Sequence, residues 1–336
     1  MERVVHGWFL LFFVGLLASA SCSRNQESEH TKHTNQPPVA VPSFSADSAY
    51  SFIQRQVRFG PRIPNTISHK EAGDYLIGKL KEYGARVSVQ EFEVSAYDGR
   101  DLQLRNIIGS FFPEQRRRII LAAHWDTRPY ADEEEEDPAA RFDGANDGAS
   151  GVAVLLEIVR ALHTSGSLPK VGIDIIFFDG EDYGPRYDVQ PSIPLPDPYE
   201  SWWCLGSQYW SRNKHQPGYA AYYGILLDMV GARGAQFRKE GYSVAYAPRI
   251  TAKIWNSASR LGYGHYFVNQ ESGEVTDDHK FVNEIAKIPM VDIINYDPES
   301  GSFGAFWHTK DDNIELIGKE TLTAVGNTVL YVVYNE

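Results

Sequence analysis

Cysteine is nearly absent from this chain: Cys22 and Cys204 are the only two in 336 residues. So small a supply excludes a disulfide-stapled scaffold, and the fold must rest on a buried apolar core. Positive charge is also short. Lys and Arg total 32 against 44 Asp and Glu, a formal net charge of −12, which denies the chain the basic surfaces that nucleic acids and anionic membranes recognise. No nucleic-acid partner is expected. The apolar stretch Trp8 to Ala18 is well short of the about 20 residues that span a bilayer. No internal repeat is visible, which excludes a solenoid.

What is present is an ordinary globular composition, 43% hydrophobic and 13% aromatic, long enough for one large α/β domain or two smaller ones. The first residues read as an export signal: Arg3, then the apolar stretch, then Ser19, Ala20 and Ser21 leading into Cys22. Small residues running into a cysteine resemble a bacterial lipoprotein signal, with Cys22 as the lipidated N-terminus of the mature chain. Ser19 departs from that pattern, which usually has Leu there, and an ordinary signal peptide cleaved nearby is the alternative. Either way the chain is expected to be exported, as a periplasmic protein or a membrane-anchored lipoprotein of a Gram-negative bacterium that meets membrane only through its lipid. Residues 23–42 are polar and Pro-containing with little to bury, a flexible tether. A single domain over 43–336 follows. Within it Cys204 reads as a small packing residue, and the acidic run Asp132 to Asp137 as a solvated loop.

From Ser45 the spacing of Tyr50, Ile53 and Val57 predicts a helix, and a second runs from about His69 to Tyr83. Alternating segments at Val87 to Val94 and Leu102 to Gly109 predict strands. Continuous apolar runs at Ile119 to Ala123, Val171 to Phe178 and Gly224 to Val230 predict buried ones. Helices are expected over Val152 to Ala161, Arg249 to Leu261 and Lys319 to Tyr334. The order implies one α/β domain: a central mixed, mostly parallel, twisted sheet covered by helices on both faces. Residues 183–203 hold Pro185, Pro191, Pro194, Pro196 and Pro198 with no periodicity, and so long a structureless stretch should shape the rim of a site.

Ligands of open α/β sheets gather beyond the carboxyl ends of the strands. Polar residues closing each apolar run therefore carry the most information. His124-Trp125-Asp126 follows the first run, Asp179-Gly180-Glu181-Asp182 the second, and Asp228 lies in the third. Asp147 lies in a small-residue stretch leading into a helix, and His308 lies beyond Ile293-Ile294. Carboxylates and imidazoles at several strand ends imply one converging site, and that donor set suits Zn2+ with one coordination position left open. Adjacent side chains diverge, so in Glu181-Asp182 one acid can bind metal while the other faces substrate.

The segments HWDTRP (124–129), DGANDGASG (143–151), FFDGEDYG (177–184), CLGSQYW (204–210), LLDMVG (226–231), TDDH (276–279) and FWHTKDD (306–312) resemble the zinc-dependent aminopeptidase and glutaminyl cyclase superfamily, from about Phe59 to the C-terminus. The resemblance implies Asp147, Asp182 and His308 as metal ligands and Glu181 as general acid/base. His124 and Asp228 fall where the di-zinc aminopeptidases hold a second metal, so one Zn2+ is expected and a second site stays open. Asp277 and Trp307, with the EDYG and WCLGSQYW segments, look like bacterial, animal-type glutaminyl cyclases. That branch implies Asp228 and Asp277 in a hydrogen-bond network around substrate, and Trp307 and Phe303 as pocket walls. Asp182 stands where most animal cyclases have Glu, and Asp292 where they have His. Tyr187 lies in the region of a pocket tryptophan, which leaves Trp202 or Trp203 to replace it. The implied activity is cyclisation of N-terminal glutamine on peptides or proteins to pyroglutamate with release of ammonia; the alternative is a di-zinc aminopeptidase.

Overall fold

The computed structural model describes residues 40–297, 300–301 and 303–336. The export signal, Cys22 and the tether up to residue 39 lie outside them. Ser45 opens α1 (Ala46–Val57) by accepting a hydrogen bond from Ser48 N, and Thr66 opens α2 (Ile67–Glu82) in the same way through His69 N. A long hairpin follows, β1 (Arg86–Ser95) and β2 (Asp101–Phe111), then β3 (Arg118–His124), α3 (Ala149–Thr164), β4 (Gly172–Phe178), α4 (Leu205–Arg212) and β5 (Gly224–Asp228). The last third runs through β6 (Phe237–Lys239), α5 (Gly241–Tyr246), α6 (Pro248–Arg260), β7 (Phe267–Glu271), α7 (Asp278–Phe281), β8 (Met290–Ile294) and α8 (Lys319–Tyr334).

The main sheet has the order β1-β2-β4-β3-β5-β8. Strands β4, β3, β5 and β8 are parallel, and the β1–β2 and β2–β4 pairings are antiparallel. This is the mixed sheet expected from the sequence. The strand-forming runs are continuously apolar because both faces are covered. Along β3, Ile119, Leu121 and Ala123 join the core under α1, α3 and α8, while Ile120 and Ala122 join a second core with Trp210 of α4 and Val282. The short parallel pair β6–β7 and α5 were not legible in the sequence.

Register brings the strand ends level. His124 pairs with Phe178 across β3 and β4, and Asp228 with Ile294 across β5 and β8. Four carboxyl termini therefore open on one edge, and the loops that leave them face a common space. Among the described residues no helix is long and apolar enough to cross a membrane.

Candidate active site

Asp126, two residues past the end of β3, is fully buried and accepts hydrogen bonds from two successive backbone N–H groups, Glu181 N to Oδ1 at 3.1 Å and Asp182 N to Oδ2 at 3.2 Å. One carboxylate thus fixes the turn after β4. At the end of β3 itself, His124 Nε2 lies 2.9 Å from Asp147 Oδ1 and 3.2 Å from Asp228 Oδ1. Gly148 allows that approach: a Cβ there would sit 2.8 Å from His124 Cε1.

Asp147 is held from behind. Asn146 N and Asp147 N donate to the buried Asp312 carboxylate at 2.6 and 3.1 Å, and burial, then the nearby Asp147, pushes the Asp312 carboxyl up to about 8. Beneath the same loop the buried Arg62 guanidinium donates to Gly144 O at 2.7 Å and also reaches Asp143 O. Asp126, Asp312 and Arg62 received no role from the sequence; for Asp126 the signal was its place two residues after a strand-end histidine.

The front of the site assembles the residues expected. Asp147, Asp182 and His308 each bring one donor atom into a group whose atoms all lie within 4.8 Å of one another, and all three are buried. His308 Nε2 lies 3.3 Å from Asp182 Oδ1 and 3.7 Å from Asp147 Oδ2. Asp182 Oδ2 is buried with no hydrogen-bond partner, a costly state for a carboxylate oxygen unless a cation meets it. Two carboxylates and an imidazole are a donor set that suits Zn2+. A second buried group, His124, Asp147 and Asp228, shares Asp147 with the first.

Against these groups lies a cavity of about 170 Å3, whose lining includes the polar Asp147, Glu181, Asp182, Asp228, Asp277 and His308 and the apolar Trp203, Met229, Val275, Ile294, Phe303 and Trp307. Trp307 stacks on His308 at 3.8 Å and meets Phe303 at 4.9 Å, while Trp203 lies parallel to His308 at 6.5 Å. Of the two tryptophans offered by the sequence, Trp203 lines the cavity. Tyr187 is 88% exposed.

Glu181 faces this cavity in a setting that favours its protonated form. Burial raises its carboxyl well above the ordinary value; His124 opposes this, and Asp277 and Asp182 add to it. Burial likewise lifts Asp228 to about 7, and burial raises Asp277 and Asp292. Cys204 is buried, as the sequence reading has it, and its thiol in addition donates to Glu181 Oε1 at 3.2 Å. The acidic run is corrected at one end, since Asp132 binds Arg128 and His308 while Glu135, Glu136 and Asp137 are exposed. Cys204, Met229 and His308 all have φ between 49° and 57°, left-handed backbone that a non-glycine residue holds at a cost of about 1–3 kcal/mol.

A family model described as peptidase family M28 matches residues 106–333. Among solved structures, the chain is similar to Bacteroides thetaiotaomicron glutaminyl cyclase bound to N-acetylhistamine, at 52% identity and a TM-score of 0.82 over 88% of this chain and 100% of that one. It is equally similar to a Zn-dependent exopeptidase from Parabacteroides distasonis, at 52% identity and a TM-score of 0.83 over the same shares. Among curated relatives, the glutaminyl-peptide cyclotransferase of Drosophila melanogaster is 24% identical over 283 residues, 78% of this chain and 73% of that protein. With the model spanning most of the domain and half-identical neighbours spanning nearly all of it, this chain belongs to peptidase family M28.

Proposed function

We propose that this chain is a zinc-dependent glutaminyl-peptide cyclotransferase that converts N-terminal glutamine to pyroglutamate and releases ammonia. The observation that carries the reading is the small cavity itself, which Trp203, Phe303 and Trp307 line together with Glu181 and the three candidate ligands. A flat amide side chain fits such a slot, with its polar end toward the acids. Of the two half-identical neighbours, the Bacteroides thetaiotaomicron glutaminyl cyclase supports this reading, and the Parabacteroides distasonis protein is described as an exopeptidase.

In this reading Asp147, Asp182 and His308 hold one zinc. When bound, zinc supplies Lewis acidity to the γ-carbonyl and charge for the oxygen that becomes anionic. The substrate's α-amino group is the nucleophile, so the walls that hold the side chain folded back on it contribute much of the rate. Glu181 accepts a proton from that amine and returns one to the departing nitrogen. Burial raises its proton affinity above that of an exposed carboxylate, which makes its carboxylate form the stronger base. Asp228 and Asp277 border the same space and hold the proton path, and His124 locks Asp147 and Asp228 together. Trp307 and Phe303 form the substrate wall.

A second reading, a di-zinc aminopeptidase in which Glu181 activates a water, is favoured by the shared Asp147 in the two candidate clusters. Ammonia release from Gln-initiated peptides, set beside amino acid release from aminoacyl anilides, separates the two. Amino acid release without cyclisation overturns the first reading, and about two zincs per chain would count for the second.

The export reading also stands as part of this proposal: residues 1–22 direct the chain out of the cytoplasm, Cys22 carries the lipid, 23–42 tether the domain, and 43–336 form the catalytic domain. Incorporation of labelled fatty acid, lost in Cys22→Ala, is its test.

A further inference from the structure

At the Nδ1 edge of the His308 ring lies a charged arrangement that the mechanism above leaves unused. Asp132 Oδ1 is 3.3 Å from His308 Nδ1. Arg128 grips Asp132 in a fork, with Nε donating to Oδ1 at 2.8 Å and Nη2 to Oδ2. The same guanidinium turns its Nη1 to Asp182 O at 3.2 Å, Asp182 Oδ1 at 3.4 Å and Gly184 O at 3.1 Å. Its Cζ lies over the Trp203 ring, 4.7 Å from the centroid. Arg128 is 4% exposed, so this many partners are what a buried guanidinium requires. The loop that carries Asp132 is pinned to the histidine a second time, by Glu133 N donating to His308 O at 3.2 Å, and Arg186 Nη1 donates to Asp132 O at 2.7 Å.

We propose that Asp132 and Arg128 are the positioning residues of the Asp147, Asp182 and His308 cluster, Asp132 orienting the His308 ring and Arg128 tying Asp132, Asp182 and Trp203 into one unit. The proposal rests on reading that cluster as the metal site. An imidazole that offers Nε2 to a metal must carry its proton on Nδ1, and a carboxylate accepting that proton fixes tautomer and ring direction together. Lysine cannot replace Arg128, because a point charge cannot hold a carboxylate in a fork, reach a second carboxylate and stack on an indole at once. The inference gives Asp132 a purpose distinct from the exposed acids that follow it.

The test is zinc affinity of the full-length protein, measured by competition with a chromophoric chelator, for wild type and for His308→Asn, Asp132→Asn and Arg128→Lys. His308→Asn is expected to lose tight zinc binding. Asp132→Asn and Arg128→Lys are expected to bind zinc about 10- to 100-fold more weakly, the range for lost outer-shell partners, in protein that circular dichroism shows to be folded. Wild-type affinity in His308→Asn would overturn the metal-site reading itself. Loss of zinc in His308→Asn, with Asp132→Asn within twofold of wild type, would overturn the positioning role alone. If Asp132→Asn does not fold, Arg128→Lys decides by the same twofold criterion.

Discussion

The thiol of Cys204 donates to the carboxylate of Glu181, Sγ to Oε1, at 3.2 Å. The contact is an unusual use of a buried cysteine. Burial first, then the neighbouring Glu181, holds the thiol well above its ordinary pKa, so it stays protonated and is a donor rather than a nucleophile. Removing it takes away one hydrogen-bond partner of the Glu181 carboxylate. Cys204→Ala should lower kcat by roughly fivefold, the equivalent of a net hydrogen bond of about 1 kcal/mol, with little change in KM. Cys204→Ser keeps a donor and should stay nearer wild type in the same steady-state assay.

Glu181→Gln keeps the shape and loses the proton acceptor. Turnover of Gln-initiated peptides should fall by about 100- to 10,000-fold, while metal analysis finds the zinc content unchanged. Undiminished turnover would remove Glu181 from the chemistry.

Gly184 lies flat against the indole of Trp203. An added Cβ would come within 2.1 Å of the ring. Gly184→Ala should therefore push Trp203 out of the cavity wall and raise KM by up to about tenfold, in line with about 0.5–1.5 kcal/mol for an aromatic contact. A substrate titration with unchanged KM would show that Trp203 is not part of the binding wall.

A fourth expectation concerns stability. Glu240 caps α5 by accepting from Tyr242 N and Ser243 N, and it also takes Val275 N and a hydrogen bond with His279. Burial pushes its carboxyl up, but the bond to His279, that residue's charge and the backbone donors win, leaving it at about 2. Its folded-state value is thus depressed. The stabilisation, on the order of 3 kcal/mol for such a shift, is present above the ordinary Glu range and is lost as pH falls toward 2. Glu240→Gln should lower the melting temperature near pH 7, and its gap from wild type should narrow in melts run between about pH 4 and pH 2.

Strand ends were readable because parallel pairing makes the polar residue after each apolar run point to a common edge. That rule alone isolates His124, Glu181 with Asp182, and Asp228. Supporting residues escaped it for a physical reason. Asp312 serves Asp147 from far along the chain, and Asp132 sits at the head of a run of acids whose later members are exposed. Nothing local distinguishes it from them. The helix α4 also escaped, since its short apolar pattern follows a proline-rich loop and starts at a left-handed Cys204 rather than at a side-chain cap.

The left-handed backbone at Cys204, Met229 and His308 bears on any attempt to engineer this protein. Glycine would relax the backbone at each position, but it would also empty a buried side-chain site, and the lost packing outweighs the relief. One of these residues touches Glu181, one borders the cavity and one is a candidate ligand. Mutagenesis aimed at heat resistance therefore has nothing to gain at these three places.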